Sequence, residues 1–179
     1  MYIWSETATT RLILVRRRAE KHLLIIRLGG HRQEGESAWQ CACREVHEEA
    51  VTGVLPAHPP VTYWINRDTS REPVPVRWPQ NTGDPTPFLV YSSEGSDSLE
   101  TSVMYLGTAD SMPVPSTEVD GLIFASPDEI DLISRQSVTL EQYLATGGRA
   151  SLRCEFDEMK VLEPFARFRD LSRILSMYS

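Results

Sequence analysis

Cysteines, long apolar runs and an N-terminal leader pattern are scarce or missing in this sequence. The 179 residues include three cysteines, Cys41, Cys43 and Cys154. This odd number, without a CxxC pair, argues against a disulfide scaffold or a zinc site and indicates a reducing compartment. The first ten residues lack the basic start and apolar stretch of a signal peptide, and no apolar run approaches the length that crosses a bilayer. We therefore expect a cytoplasmic protein with no membrane partner.

Basic residues are outnumbered, with 18 lysines and arginines against 25 aspartates and glutamates and a formal net charge of −7. This balance argues against a protein that binds long nucleic acid through a broad basic face. A small phosphorylated substrate stays compatible with it, because a bound divalent cation can reverse the local charge. The length predicts a single domain over residues 1–179.

Strand-like and helix-like segments alternate along the chain. One helix is expected over Ser37–Thr52, with Ser37 as its N-cap, and another opens at Pro127. Short β-prone runs predict a strand pair near the N-terminus, a second pair around a polar turn, and two single strands. These runs are Leu12–Val15 with Leu23–Leu28, Phe88–Tyr91 with Val103–Leu106, and Val61–Ile65 and Gly121–Ala125.

Two segments need a separate interpretation. Prolines interrupt the chain between residues 55 and 87, and the proline-rich insert around 66–87 is expected to form a lid, a binding loop or a homodimer contact. The tail around 157–178 carries apolar residues at helical spacing, which predicts a C-terminal helix that packs on the core or on another subunit.

Three glutamates of the first helix share one face. At about 100° per residue, Glu45, Glu48 and Glu49 lie within about 100° of one another. Like charges this close repel, and a hard divalent cation such as Mg²⁺ or Mn²⁺ would neutralise them, because these ions prefer carboxylate oxygens and bridge protein acids to substrate phosphates. Taken alone, an acidic helix face is more often a solvated surface.

The residues around this face favour the metal interpretation. Arg44 can pair with Glu48 at i,i+4 and so fix that carboxylate. Glu36, just before the helix, can add a further ligand, and the glycines of the preceding loop let the backbone approach a metal or phosphate closely.

This joint pattern resembles the Nudix box, G-x5-E-x7-R-E-U-x-E-E-x-G-U, where U is a bulky aliphatic residue. Val51 stands at the position of the last glycine and Thr52 at the last aliphatic position, and these departures concern the end of the helix. Residues 118–130, EVDGLIFASPDEI, look like the late strand-to-helix segment of the same family. Seven positions match in order and spacing: Gly30, Glu36, Arg44, Glu45, Val46, Glu48 and Glu49.

The resemblance implies a Nudix-type α/β/α sandwich with a mixed β-sheet. It also implies a Mg²⁺- or Mn²⁺-dependent hydrolase that cleaves the diphosphate of a nucleoside diphosphate linked to another group, by attack of water on phosphorus. Arg44 would orient the acids. The metal ligands would be Glu45, Glu48 and Glu49, assisted by Glu36 and the Gly30 carbonyl.

The general base stays open among Glu48, Glu49 and the later Glu118, whose alternative role is to cap the following strand. Substrate choice is also open: Tyr63, Trp64, Trp78 and Phe88 are candidate platforms for a base. Residues 65–67 lack the proline typical of the nucleotide-sugar type. Two further functions are compatible with the sequence, a non-catalytic nucleotide sensor on the same fold and an RNA 5′-end pyrophosphohydrolase.

Overall fold

The computed structural model describes residues 2–4, 11–19, 22–69, 72–79, 83–94, 99–153, 155, 157, 159–165 and 168–175. Cys154 lies outside these ranges. The elements within them alternate between strands and helices. In chain order they are β1 (Tyr2–Trp4), β2 (Arg11–Ala19), β3 (His22–Ile26), α1 (Ala38–Ala50), β4 (Val54–Ala57), β5 (Thr62–Asn66), β6 (Val74–Val76), β7 (Leu89–Glu94), β8 (Leu99–Met104), β9 (Leu106–Ala109), β10 (Gly121–Ala125), α2 (Pro127–Arg135), β11 (Val138–Thr139), α3 (Leu140–Ala145), β12 (Arg149–Leu152), β13 (Val161–Pro164) and α4 (Phe168–Leu175).

The strands of the described residues form two sheets. The larger has the order β11-β13-β3-β2-β1-β9-β4, with β10 paired to β2 and β12 paired to β10, and the smaller has the order β6-β5-β7-β8. Both are mixed: β1–β9, β3–β13 and β5–β7 are parallel, and the other pairs are antiparallel. Both predicted strand pairs are confirmed, as the antiparallel pairs β2–β3 and β7–β8.

Helices cover both faces of the larger sheet, which confirms the predicted α/β/α sandwich. Successive residues of a strand point to opposite faces, and β10 separates two cores in this way. Leu122 packs in the cluster that contains Val46 and Ala50 of α1. Its neighbour Ile123 packs in the cluster that contains residues of α2, α3 and α4.

The insert contains a strand that the sequence did not predict, and the tail differs from expectation. Residues 74–76 of the insert form β6, which pairs with β5 through Trp64 and Val74; residues 70, 71 and 80–82 lie outside the described part. The continuous helix expected over 157–178 is wrong for its first half, because residues 161–164 form β13 and pair with β3. Pro164 could not continue a helix in any case. Helix α4 spans Phe168–Leu175, and residues 176–178 lie outside the described ranges.

Helix α1 begins and ends at residues with clear local causes. The Ser37 hydroxyl accepts from the Gln40 N–H, and the Gln40 side chain accepts from the Ser37 N–H, so the two residues form a capping box. At the other end Val51 adopts the left-handed conformation, with φ 46° and ψ 41°, and its N–H donates to the His47 carbonyl. Among the described residues it is the one non-glycine with positive φ.

This conformation makes Val51 a source of strain, because a left-handed residue with a Cβ costs about 1–2 kcal/mol and a β-branched one is strongly disfavoured. Its side chain is 51% exposed, so little packing is lost on truncation. We expect Val51→Gly to raise the free energy of unfolding by about 1 kcal/mol in urea denaturation. Val114→Gly is the matched control, an exposed valine with ordinary φ, and should lower it. Equal effects of the two substitutions would contradict the strain argument.

Candidate active site

Arg44 lies at the centre of a group of carboxylates on and beside α1. Its Nε donates to Glu36 Oε1 at 2.9 Å and its Nη2 to Glu36 Oε2 at 3.2 Å. Its Nη1 donates to Glu45 Oε1 at 2.7 Å and to Glu48 Oε2 at 2.8 Å. We call these four residues the Arg44 cluster. The sequence predicted the pairing with Glu48; the bonds to Glu36 and Glu45 show that one guanidinium holds three acids of the predicted set together.

The loop before α1 closes around the cluster from one side. Arg44 Nη2 also donates to the His31 carbonyl at 3.1 Å, and Glu36 Oε2 accepts from the Gln33 N–H at 2.9 Å. Gly35 turns this loop with φ +77°, a conformation that glycine adopts freely. Both ends of the Glu36–Arg44 contact are therefore anchored to loop backbone, and His31 contributes its carbonyl.

Glu49 is the most buried acid of the set, with 2% of its surface exposed. Its Oε2 accepts from the Gly29 N–H at 3.0 Å, which ties the C-terminal half of α1 to the glycine loop that follows β3. A buried carboxylate needs such donors, since losing hydration without compensation is costly. Glu49 is therefore enclosed, whereas the Glu48 side chain is 40% exposed.

The charges of the cluster shift the protonation equilibria in opposite directions. The hydrogen bond from Arg44, with a smaller contribution from the Gln33 N–H, lowers the pKa of Glu36. The hydrogen bonds to Glu36 and Glu45 raise the pKa of Arg44 further above its ordinary value. Both groups are therefore ionised at neutral pH, and the cluster has a negative net charge with three carboxylates around one cation.

The cluster has the donor chemistry of a divalent metal site. Carboxylate oxygens are the ligands that Mg²⁺ and Mn²⁺ prefer, and within the described residues Glu45 Oε2 and Glu48 Oε1 receive no hydrogen bond from Arg44. In the same residues no three His, Cys, Asp or Glu side chains converge on one point where an ion would fit. The ligand set Glu36, Glu45, Glu48 and Glu49 thus remains a prediction that the donor chemistry fits. Arg44 holds the first three carboxylates, and the Gly29 N–H donates to Glu49.

Gly30 packs directly against this group. A Cβ built on Gly30 would overlap the Glu45 carboxylate, so no larger residue fits unless that carboxylate moves. The Gly30 carbonyl also lies 4.0 Å from Cys41 Sγ. The glycine loop therefore brings backbone close to the Glu45 carboxylate, while its approach to a metal or phosphate stays a prediction.

Gly30→Ala is expected to displace the Glu45 carboxylate and to lower kcat by about 10-fold or more, as loss of a supporting contact at such sites does. The effect on unfolding should be small, because the overlapping group is the end of a flexible side chain. The matched control is Gly147→Ala, after α3, where a Cβ also meets open space although φ +92° is unfavourable. If Gly30→Ala kept full kcat in a steady-state assay, this contact would be irrelevant to function.

Other candidates fall outside the Arg44 cluster. Glu118 is exposed and its backbone N–H donates to Ser116 Oγ. The same loop is bonded to the end of α1, since the Ser116 N–H donates to the Glu49 carbonyl. Its role as general base stays a prediction. His47 is exposed. Burial raises the pKa of the Cys41 thiol, which agrees with a filler role rather than a nucleophile.

The aromatic candidates separate by exposure. Phe88 is fully buried and belongs to the core, and Tyr63 packs against the same core. Trp78 is half-buried. Trp64 is 37% exposed, and its Nε1 donates to Ser92 Oγ at 2.9 Å. Of the four, Trp64 offers the largest accessible ring.

Asp84, in the insert, is a contact that sequence reasoning missed. Its Oδ1 accepts from Ser37 Oγ at 2.6 Å, and its Oδ2 accepts from the Trp39 N–H at 3.2 Å and from Tyr105 Oη at 3.4 Å. The insert is therefore attached to the first turn of α1. A lone aspartate among prolines gives no local pattern that could have revealed this.

Comparison with known proteins places the chain in a family. The NUDIX domain model matches residues 2–146, so the chain belongs to the NUDIX family, as the box residues predicted. It is accordingly a Nudix hydrolase. No helix in the described ranges is long and apolar enough to span a bilayer.

Solved structures similar to this chain include a NUDIX-family hydrolase from Clostridium perfringens, with 18% identity, 73% of this chain and 81% of that chain covered, and a TM-score of 0.47. The E. coli ORF135 protein is 16% identical, with 72% of this chain and 74% of that chain covered and a TM-score of 0.41. A NUDIX hydrolase from Nitrosomonas europaea is 16% identical, with 72% of this chain and 57% of that chain covered and a TM-score of 0.38. No curated protein matches the chain.

Proposed function

We propose that this Nudix hydrolase is metal-dependent and cleaves the phosphoanhydride of a nucleoside diphosphate linked to another group, by attack of water on phosphorus. The observation that carries the proposal is the Arg44 cluster, in which one guanidinium holds the box acids Glu36, Glu45 and Glu48 at 2.7–3.2 Å. Several carboxylates grouped on one helix supply the oxygen ligands by which Mg²⁺ is bound together with the phosphates of a substrate.

Glu45, Glu48 and Glu49 would hold Mg²⁺ or Mn²⁺, with Glu36 and the Gly30 carbonyl assisting. When bound, such an ion neutralises phosphate oxygens and makes phosphorus more electrophilic. The contribution of Arg44 is to hold the acids in place before substrate arrives, so that little reorganisation is needed in the transition state.

The proton of the attacking water would pass to a glutamate carboxylate. Glu48 suits this role, because its carboxylate is partly exposed and Arg44 holds only its Oε2. Glu49 is more enclosed and accepts from the Gly29 N–H, which suits a ligand. Glu118 is the alternative base, and variants of the three separate them by the pH dependence of kcat.

The proposal is tested by a hydrolysis screen with Mg²⁺ or Mn²⁺ and an EDTA control. The panel contains nucleoside triphosphates, oxidised nucleotides, nucleotide sugars, dinucleoside polyphosphates, coenzyme-type diphosphates and triphosphorylated RNA. Metal-dependent turnover of a small nucleotide, with ¹⁸O from water appearing in a phosphate product, is the expected result. Tight nucleotide binding without turnover would instead indicate a sensor, and turnover of the RNA alone would indicate an RNA 5′-end pyrophosphohydrolase.

A further inference from the structure

The first turn of α1 is bonded to a residue far away in the chain. Ser37 is the N-cap of α1, and its hydroxyl both accepts from the Gln40 N–H and donates to Asp84 Oδ1 at 2.6 Å. The other oxygen of Asp84 accepts from the Trp39 N–H at 3.2 Å. A carboxylate at this position satisfies a free amide of the first turn and interacts favourably with the positive end of the helix dipole.

These bonds continue into the Arg44 cluster. Ser37 directly follows Glu36, whose carboxylate accepts two hydrogen bonds from Arg44. Arg44 in turn holds Glu45 and Glu48. A contiguous chain of bonds therefore leads from the insert to the acids, and a shift of the first turn would move Glu36 against Arg44.

Asp84 is fixed from a second direction as well. Tyr105, between β8 and β9, lies with its hydroxyl 3.4 Å from Asp84 Oδ2. Its ring packs edge-on against Trp39, with centroids 5.3 Å apart. Burial, followed by the charge of Asp84, raises the pKa of Tyr105, so its hydroxyl stays protonated and can donate. The Asp84 carboxylate is thus held between Tyr105 and the first turn of α1.

We propose that Asp84 is a positioning residue for the active site: it fixes the point at which the glycine loop meets α1, and through Glu36 and Arg44 it sets the placement of Glu45 and Glu48. This inference rests on the proposed function for its kinetic consequences and on the bond network for its structural ones. The C-terminal part of the proline-rich insert then has a function, which is to keep these glutamates in their positions on α1.

The structural test uses the Arg44 Nε–H resonance in ¹H–¹⁵N spectra, because this proton donates to Glu36 and reports on the cluster without any turnover. Asp84→Ala and the milder Asp84→Asn should both shift this resonance, the alanine variant more. The matched control is Asp131→Ala, which removes an aspartate that accepts a serine hydroxyl bond of the same 2.6 Å length between α2 and α4. An unchanged Arg44 resonance in both Asp84 variants, with the proteins folded, would overturn the inference.

The kinetic test compares the same variants with the substrate found in the screen. We expect Asp84→Ala to lower kcat by about 10-fold or more with little change in KM, since the acids are displaced and the rest of the substrate site is kept. Asp84→Asn should be intermediate and Asp131→Ala near wild type. Equal losses of kcat in Asp84→Ala and Asp131→Ala would mean that Asp84 acts only through general stability. If wild type hydrolyses nothing, the proposed function fails while the resonance test still decides this inference.

Discussion

Glu48→Gln is expected to lower kcat by about 100-fold or more, the usual size of a general-base contribution, with the fold intact. Glutamine keeps the volume and one acceptor for Arg44, but it lacks the charge that would bind a cation and the carboxylate that would take a proton in the proposed reaction. Glu49→Gln should cause a comparable loss through metal affinity, so that part of its activity returns at high Mn²⁺. The measurement is kcat at several metal concentrations, with circular dichroism spectra to establish folding.

Two controls belong with this experiment. Glu141→Gln changes an exposed glutamate in the first turn of α3, and should leave kcat unchanged. Glu118→Gln separates the alternatives for the base, because a loss there with an altered acidic limb of the pH profile would assign the proton transfer to Glu118 rather than Glu48. Full turnover in the Glu48→Gln, Glu49→Gln double variant would be incompatible with an active site on this helix.

Arg44→Ala is the second substitution with a large expected effect. It leaves Glu36, Glu45 and Glu48 side by side without the guanidinium that neutralises them. The resulting repulsion should lower the melting temperature, and it should lower kcat by about 100-fold. Arg44→Lys should restore little, because an ammonium group cannot donate to three carboxylates through the planar fork of a guanidinium. Parallel thermal melts and steady-state kinetics measure the two effects.

The same substitution has a pH signature. Arg44 lowers the pKa of Glu36 in the folded protein, so this contact contributes stability above the ordinary glutamate pKa and loses it as the pH falls through the lowered value. In Arg44→Ala the Glu36 pKa should return upward, and the acid-side dependence of stability due to this pair should disappear. An NMR titration of the Glu36 carboxyl carbon with an unchanged midpoint would contradict the assignment of Arg44 as its counter-ion.

The parts of this protein that were predictable from sequence are those set by local patterns. The helical period from Ser37, the serine N-cap and the strand pairs depend on residues within a few positions of one another. The spacing of Gly30, Glu36 and Arg44 identified the family for the same reason.

The parts that sequence reasoning missed depend on contacts between distant residues. Strand β13 lies parallel to β3 through a pairing of Val161 with His22, and nothing near residue 161 encodes that partner. The bond from Asp84 to Ser37 likewise spans 47 positions. Residue spacing paired Arg44 with Glu48 alone, because the i,i+4 rule does not report on Glu36, which reaches Arg44 by the turn of the glycine loop at Gly35. The wider expectation that Arg44 orients the acids came from the family resemblance.

At Val51 the sequence departs from the family pattern, but the backbone keeps the conformation that the pattern's glycine would adopt. The pattern has glycine there, and the backbone adopts the left-handed conformation that glycine favours. Thr52, at the next position, is buried, and its hydroxyl lies 3.2 Å from Asp110 Oδ1. Asp110 Oδ1 also accepts from the Gly53 N–H. The helix end is therefore held by polar bonds in place of the aliphatic residue of the pattern.

Anomalous scattering from crystals grown with Mn²⁺ tests the central claim most directly. The account places a manganese peak within ligand distance of Glu48 and at least one of Glu45 and Glu49, and expects that peak to vanish in crystals of the Glu48→Gln, Glu49→Gln variant. A wild-type crystal with Mn²⁺ at saturating concentration and no peak beside these carboxylates would contradict it.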